Sequence, residues 1–399
     1  MKRSPATSPA AEVVYDVEQG GTTIDRRRFG GLYQLGFLAL LLPAAIACLG
    51  LLCGQWVTVD VASESGGYAY VTHGLLAVGL YGSVHGISIP EARRDVRRIV
   101  VAVTFGVVLK AALIMAVLTA VFRNEPKYLV LAVAMAQIDP LSVSVLLENR
   151  DMSPRAKSLL AAWASFDDPV TTILVVLVSS MVFTDPGGGM PDVGAYVGTF
   201  GGNLALLLAA AVTWAAVRGR GSAAAGPAGG AAEEPVTRRR HVVQIIALVA
   251  LLAVATWQFL MLGIALAALF FRPELGPWVR RTTNAALFVA TFLLGLLLSA
   301  GIDITVGLVL GAATFAAQIV VAFFVSWGLP RGDRIALCLS QQNGITAIIL
   351  ALLLQPDLPE AVAIVAPAIA TVNVLHLLAG SLSRWMLPRD SGDVAGPPA

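Results

Sequence analysis

Charged residues are scarce in this sequence. Only 13% of its 399 residues are Asp, Glu, Lys or Arg, whereas 57% are hydrophobic and the mean hydropathy is +0.78. These values exclude a water-soluble globular domain and place the chain in a membrane. Cysteine is scarcer still, and the three residues Cys48, Cys53 and Cys338 are too sparse for a disulfide scaffold or a metal cage.

Long apolar runs fill most of the chain. Windows of about 20 apolar residues, the length that crosses a hydrocarbon core about 30 Å thick, predict an all-α polytopic membrane protein with twelve spans. Spans 7 and 8 are short and are joined tightly at Trp257. The predicted spans, numbered in chain order, are 31–53, 69–89, 99–122, 128–147, 158–182, 194–217, 242–256, 258–271, 282–301, 303–326, 334–354 and 361–386.

The placement of Lys and Arg tests this count independently, because basic residues collect in cytoplasmic loops. With the N-terminus inside, 24 of the 27 basic residues fall in cytoplasmic segments, Arg123 and Lys127 fall in external loops, and Lys110 falls in a span. The pattern predicts a multi-pass cell-membrane protein with both termini in the cytoplasm. Because topology explains the basic residues, the net charge of +2 gives no support for nucleic-acid binding.

Composition divides the chain into two halves. A stretch rich in Gly, Ala and Pro predicts a cytoplasmic linker at 218–241, between a first six-span half at 31–217 and a second at 242–387. The polar residues 1–30 predict a disordered cytoplasmic tail, and 388–399 form a second cytoplasmic tail.

Two spans carry polar residues that are expected to interrupt them near the bilayer centre. In span 4, Asp139 stands directly before a proline, which removes a backbone donor and frees a carbonyl of the preceding turn. In span 11, Gln341, Gln342 and Asn343 are followed by a glycine. We expect both helices to unwind there and to expose backbone groups to a bound ion. The alternatives are a simple kink at Asp139 and amides that only join neighbouring helices.

Span 5 carries the adjacent carboxylates Asp167 and Asp168. A carboxylate at mid-membrane costs roughly 2.5–3.5 kcal/mol on insertion scales, so two together indicate a residue pair that binds or relays something. Adjacent helical residues point about 100° apart, so one acid can face a cavity while the other faces a neighbouring span. We predict an ion and proton site at these two acids and Asp139, supported by Thr171.

Topology adds a symmetry argument. Spans 3–5 and 10–12 are seven helices apart, an odd number, so one triplet is inserted upside down relative to the other. Each triplet has an interrupted middle helix, and two such helices crossing in inverted repeats indicate a secondary transporter site. Asn373 in span 12 is then the counterpart of the span 5 acids and is expected to line the cavity.

The stretch Asp139-Pro140, Arg155 and Asp167-Asp168 resembles the monovalent cation/proton antiporter superfamily, the Na⁺/H⁺ exchangers and Nha- and Kef-like proteins. That family has an alanine-threonine-aspartate-proline motif in its fourth core helix and an acidic pair in the next. A second resemblance runs through 262–267 and 292–304. The resemblance implies a panel domain, a mobile six-helix core and a homodimer.

The resemblance also implies a function. It assigns Asp168 as the essential ion-binding aspartate, Asp167 as its neighbour, and Asp139 as the acid of the unwound crossing helix. The protein would exchange Na⁺ or K⁺ for protons by alternating access, because one carboxylate cannot hold a proton and a cation together. The implied partners are the lipid bilayer, monovalent cations and protons, with no cofactor beyond the transported ions.

The chain departs from the family pattern at several positions. Ile138 replaces the threonine of the span 4 motif, and Trp163 and Asn343 stand where the electroneutral branch pairs a glutamate with an arginine. The lysine that the electrogenic branch places in helix 10 is missing, and the nearest polar candidates are Thr314 and Gln318.

Lys110 lies midway along span 3, the symmetry counterpart of span 10. We hypothesise that it is a counter-ion to Asp139 or to the acidic pair, and that it titrates or exchanges partners during transport. The alternative is a lysine that snorkels to the interface, but Lys110 lies about thirteen residues from the cytoplasmic end, which is deep for that.

Other functions stay open at this stage. The first alternative is a sodium-coupled or proton-coupled transporter of a small organic substrate with the same fold. An intramembrane enzyme is not expected, because the Asp-Asp pair of span 5 lacks a second acid cluster and no nucleophile, base and orienting residue stand together in the sequence.

Overall fold

All regular secondary structure in the described part of the chain is helical. The structure is a computed structural model that describes residues 41–57, 61, 66–86, 93–122, 125–140, 143, 152–183, 193–223, 233–273, 275 and 277–386. The helices with described ends are α1 Leu41–Cys53, α2 Gly67–His85, α3 Arg93–Val121, α4 Lys127–Met135, α5 Pro154–Phe183, α6 Val193–Ala223, α7 Glu233–Gln258, α8 Met261–Ala267, α9 Pro277–Leu298, α10 Ile304–Val325, α11 Arg331–Cys338, α12 Ile345–Leu354 and α13 Ala361–Met386. α3 begins with a 3-10 turn at Arg93–Asp95 and contains a π-helical segment at Ala102–Gly106, and the rest of it is α-helical.

Seven helices of the described part contain stretches long and apolar enough to cross a bilayer. They are α3, α5, α9 and α10 in full, with 198–216 of α6, 241–258 of α7 and 361–382 of α13. Large apolar side chains on them are exposed, including Phe105 at 71% and Met181 at 73%, as contact with lipid requires. The chain is a multi-pass membrane protein, while the count of twelve spans and the cytoplasmic location of both termini stay predictions.

The helix ends differ from the predicted span ends around the linker. α6 and α7 both continue into 218–241, and residues 224–232 lie outside the described part, as do the predicted tails 1–30 and 388–399. The break after α7 falls at Phe259, two residues beyond the predicted joint, where a φ of 53° turns the chain. The domain boundaries themselves stay a prediction.

Two sets of helices pack together within the unit that begins at Pro43. The interrupted-helix group consists of α3, α4, α5 and α10–α13, and the α2 group consists of α2 and α6–α9. Within the second group, α2 packs on α7, α8 and α9, and it also packs against α5 and α12 of the first. α2 therefore faces the helix that carries the two adjacent acids.

Close packing of α10 on α13 depends on two glycines four residues apart. A Cβ atom at Gly311 would lie 2.6 Å from the carbonyl oxygen of Ala368 and 2.7 Å from Cβ of Thr371, and one at Gly307 would overlap Pro367. Small residues at this spacing let two membrane helices approach each other's backbone. The closely packed pair α10 and α13 supports the interrupted helix, since α10 packs on α11 and α13 packs on α12.

We expect Gly311→Ala to lower the free energy of unfolding by about 1–3 kcal/mol, because the added methyl group forces two backbones apart. The measurement is the thermal unfolding midpoint of the protein in detergent. Gly201→Ala on α6 is the matched control, because a Cβ there meets no atom within 4 Å and alanine favours a helix. Equal midpoints for the two variants would contradict the tight contact.

Candidate functional site

Four charged side chains lie buried close together in the interrupted-helix group. Asp167 and Asp168 stand in the middle of α5, Lys110 lies on α3, and Asp139 follows the end of α4. Each is at most 1% exposed, and Ile138, the residue before Asp139, donates its backbone N–H to Asp167 at 3.0 Å. The structure thus gathers the three predicted acids and the predicted basic residue at one enclosed place.

The two helix interruptions are joined to each other by hydrogen bonds. α4 ends at Met135, and α11 and α12 are separated by 339–344. The backbone N–H of Asp139 donates to the carbonyl of Gln342 at 2.9 Å, and the Asn343 side chain donates to the Met135 carbonyl at 3.2 Å. The Gln341 amide donates to the carbonyl of Gln137 at 2.6 Å. Carbonyls left open by one broken helix are therefore satisfied by the other.

Two predicted site residues support the second interruption rather than the acids. The Asn373 amide donates to the carbonyl of Asn343 at 3.2 Å. The Gln318 amide donates to the Leu337 carbonyl and to the Ser340 hydroxyl, both at 3.4 Å. Gln318 and Asn373 therefore fix the backbone between α11 and α12, and the structure shows neither of them bonded to a carboxylate.

Asp167 is bound to a cation of the protein itself. Its Oδ2 atom lies 3.0 Å from Lys110 Nζ and accepts a second hydrogen bond, also 3.0 Å long, from the backbone N–H of Ile138. The ammonium group lies 5.5 Å from the centre of the Trp163 ring, within the range of a cation–π interaction. Lys110 is fully buried and does not snorkel, so Asp167 has a charge partner that is shielded from water.

Asp168 is surrounded by neutral donors. Its Oδ2 atom accepts hydrogen bonds from the Ser83 hydroxyl of α2 at 3.1 Å and from the Thr346 hydroxyl of α12 at 2.9 Å. With its amide nitrogen turned toward Asp168, Gln137 donates to Oδ1 at 2.7 Å and accepts from the backbone N–H of Ala347 at 2.8 Å. Two adjacent acids thus have different surroundings, because they leave α5 in different directions.

Several buried side-chain oxygens near the acids accept no hydrogen bond from the described residues. Besides one carboxylate oxygen of Asp167, they belong to Thr171, Gln341 and Gln342. Thr171 follows Asp168 by about one helical turn. Carboxylate, hydroxyl and amide oxygens are the ligands that hard cations take, so the residues around the acids fit an alkali cation.

Three partners of Asp168 are not singled out by the sequence. Gln137 and Thr346 lie within three residues of a predicted interruption, so their positions carried a weak signal. Ser83 lies in an uninterrupted helix of the other group and carried none. Only the packing of α2 against α5 brings it to the site.

The fold can be compared with solved structures. The sodium proton antiporter MjNhaP1 from Methanocaldococcus jannaschii, at pH 8, matches with a TM-score of 0.57 over 88% of this chain and 99% of that chain, at 15% sequence identity. No family model and no curated protein sequence matches the chain. The predicted antiporter resemblance is confirmed at the level of the fold.

A double-mutant cycle tests the buried ion pair. We expect Lys110→Met alone to destabilise the protein by about 3–5 kcal/mol, because it leaves Asp167 as an unpaired buried charge. Adding Asp167→Asn removes that charge, so the double variant should be more stable than Lys110→Met. The thermal unfolding midpoint in detergent measures both effects.

The control cycle uses an exposed ion pair of the same length class. Lys127 lies at the start of α4, and its Nζ is 2.8 Å from Oε2 of Glu360. Hydrogen bonds to the carboxylates of Glu360 and, second, of Glu125 raise the pKa of this lysine. Lys127→Met and Glu360→Gln should each change the midpoint little, because water screens exposed pairs. Equal coupling in both cycles would contradict a special role for burial.

Proposed function

We propose that this chain, which has the fold of a sodium/proton antiporter, exchanges Na⁺ or K⁺ for protons across the membrane by alternating access. The observation that carries the proposal is the setting of Asp168. It is fully buried, it is held by hydroxyl and amide groups, and no Lys or Arg of the described residues forms an ion pair with it. A buried carboxylate without a fixed counter-charge is stable only when a proton or a cation neutralises it.

Competition follows from this setting. A proton on Asp168 makes it neutral, and a cation bound to its oxygens does the same, but the two cannot occupy one carboxylate together. The buried oxygens of Thr171, Gln341 and Gln342 are available as further ligands. Exchange then has two requirements. The protein must change conformation when the site holds a proton or a cation, so that the site opens alternately to each side of the membrane, and it must not change conformation when the site is empty and charged.

The interrupted helices support the transport geometry. We propose that they cross within inverted repeats of a twelve-span protein whose termini are both cytoplasmic, and that the protein works as a homodimer. The hydrogen bonds between 135–139 and 341–343 hold the two interruptions against each other. The negative end of α4 and the positive end of α12 meet there, so backbone dipoles act directly on the ion site.

Asp167 and Lys110 add a second component to the exchange. The ammonium of Lys110 already occupies the place beside Asp167 that a transported cation would take. We propose that Lys110 exchanges partners, leaving Asp167 when a cation enters. If two protons move for each cation, one net charge crosses per cycle, and a potential of 100 mV contributes about 2.3 kcal/mol to the gradient.

Transport is tested in liposomes that contain a pH-sensitive dye and an acidic interior. Addition of Na⁺, K⁺ or Li⁺ outside should alkalinise the lumen of wild-type vesicles with at least one of these cations. Asp168→Asn should abolish the response, because an amide neither releases a proton nor neutralises a cation. Asp303→Asn is the matched control, because Asp303 caps α10 through Val306 N–H and asparagine also caps helices.

A folded wild type that responds to none of the three cations would contradict cation/proton exchange. That outcome would favour the transporter of a small organic substrate. A response that survives in Asp168→Asn would instead show that another group carries the ion.

The competition between Lys110 and the transported cation is tested by ligand stabilisation. A cation that binds the native state raises the unfolding midpoint, and at a fixed concentration the stabilisation grows with the logarithm of its affinity. We expect saturating Na⁺, or whichever cation drives transport, to raise the midpoint of Lys110→Met more than that of wild type, because the internal competitor is gone. Lys110→Arg keeps the positive charge and serves as the control. An equal or smaller shift in Lys110→Met would contradict the exchange of partners.

A further inference from the structure

Two hydroxyl groups from different helices converge on one oxygen of Asp168. Ser83 Oγ and Thr346 Oγ1 both donate to Oδ2, at 3.1 and 2.9 Å. Both residues are buried, at 4% and 1% exposure. The Thr346 hydroxyl comes from the first turn of α12, beside the interruption, whereas the Ser83 hydroxyl comes from α2.

The Ser83 contact joins the two helix groups. α2 packs on α7, α8 and α9, while Asp168 belongs to the interrupted-helix group. Most of the other polar bonds at the site, including those of Thr346, Gln137, Gln341 and Asn343, remain inside the interrupted-helix group. Alternating access by rocking of one bundle against another would change the Ser83 distance and leave the others unchanged.

We propose that Ser83 is a ligand of the transported cation, and that α2 supplies it to the Asp168 site only in the conformation seen here. This inference rests on the proposed function. When a cation binds this carboxylate oxygen, the Ser83 proton can turn to the carbonyl of Gly79, 2.9 Å from Oγ, and the hydroxyl oxygen then presents its lone pairs to the cation. Thr346 places a second hydroxyl oxygen beside the same carboxylate oxygen from α12. The cation is thus enclosed by oxygens from α2, α5 and α12 together.

Neighbouring residues keep Ser83 in place. Its hydroxyl also lies 2.9 Å from the carbonyl of Gly79, one turn earlier in α2. Gly79 also lets α12 pack closely, because a Cβ atom added to Gly79 would lie 3.7 Å from the side chain of Ile345 and 3.8 Å from that of Ile349. Farther along the helix, the Tyr68 hydroxyl of α2 donates to the carbonyl of Leu352 at 2.6 Å. In the conformation seen here, these contacts pack α2 against α12 and direct the serine at Asp168, and we expect them to separate together with the Ser83 contact.

The first test is the apparent KM for the driving cation in proteoliposomes. Ser83→Ala is expected to raise KM about tenfold, the equivalent of about 1.4 kcal/mol, because one oxygen ligand is lost. Ser83→Thr retains a hydroxyl and should restore most of the affinity. Thr72→Ala is the matched control, since among the described residues this buried hydroxyl of α2 bonds only to the backbone of its own helix, and its loss should leave KM unchanged.

A purely structural serine would give a different pattern. Loss of packing would lower the unfolding midpoint and the maximal rate of Ser83→Ala while KM stayed at the wild-type value, and that result would overturn the inference. If wild type and Thr72→Ala also fail to transport any cation, the proposed function fails first. The two failures are therefore distinguishable in one set of vesicles.

A second test follows the withdrawal of α2 without relying on Ser83→Ala. Ser83→Cys is introduced after Cys48, Cys53 and Cys338 are replaced by serine, and a water-soluble thiol reagent is added. The thiol should react during exchange and be protected in a buffer of high pH that contains no Na⁺, K⁺ or Li⁺, because the empty charged site then stays in one conformation. Equal reactivity in these two conditions would overturn the withdrawal of α2 during transport.

Discussion

The hydrocarbon core supplies no water, and this constraint governs the whole site. A helix that unwinds inside it must find partners for its open carbonyl and amide groups within the protein. Here the two interruptions are hydrogen-bonded to each other. The Asp139 N–H donates to the carbonyl of Gln342, and the carbonyl of Met135 accepts from the side-chain amide of Asn343. Each break therefore supplies some of the hydrogen-bonding partners that the other needs. The proposed ion site thus lies where two interrupted segments stabilise each other.

Adjacent acids on one helix divide the electrostatic work. Asp167 faces α3 and holds Lys110, so its charge is balanced by the protein. Asp168 faces α2 and α12, and the donors that it meets among the described residues are neutral. The angle of about 100° between neighbouring helical side chains is enough to separate these environments. A single acid could either pair with a lysine or be available to a proton or cation. The two adjacent acids provide both arrangements within one turn of α5.

The sequence could predict most of the residues that gather at the candidate site, but not which of them contact each other. Carboxylates and amides inside apolar runs marked 139, 167–168 and 341–343, because lipid tolerates such residues only for a reason. Depth along a span located Lys110, yet depth alone could not decide between Asp139 and the acidic pair, since the rotation of each helix depends on packing. Gln318 and Asn373 were predicted near the acids, but their side chains bond to the backbone between α11 and α12. Ser83 required the contact between helix groups, which no local pattern encodes.

The departures from the family pattern fit together once the contacts are known. Without a threonine at 138, Asp167 accepts a hydrogen bond from the backbone N–H of Ile138, for which any side chain suffices. Without a glutamate at 163, a tryptophan ring lies under the ammonium of Lys110 and offers a cation–π contact in place of a second carboxylate. The lysine itself comes from α3 and packs beside α10. If the two triplets are inverted repeats, their central helices present equivalent depths to the acids, so a counter-charge can be carried by either one. The position of the charge, rather than the helix that carries it, is then what the ion site requires.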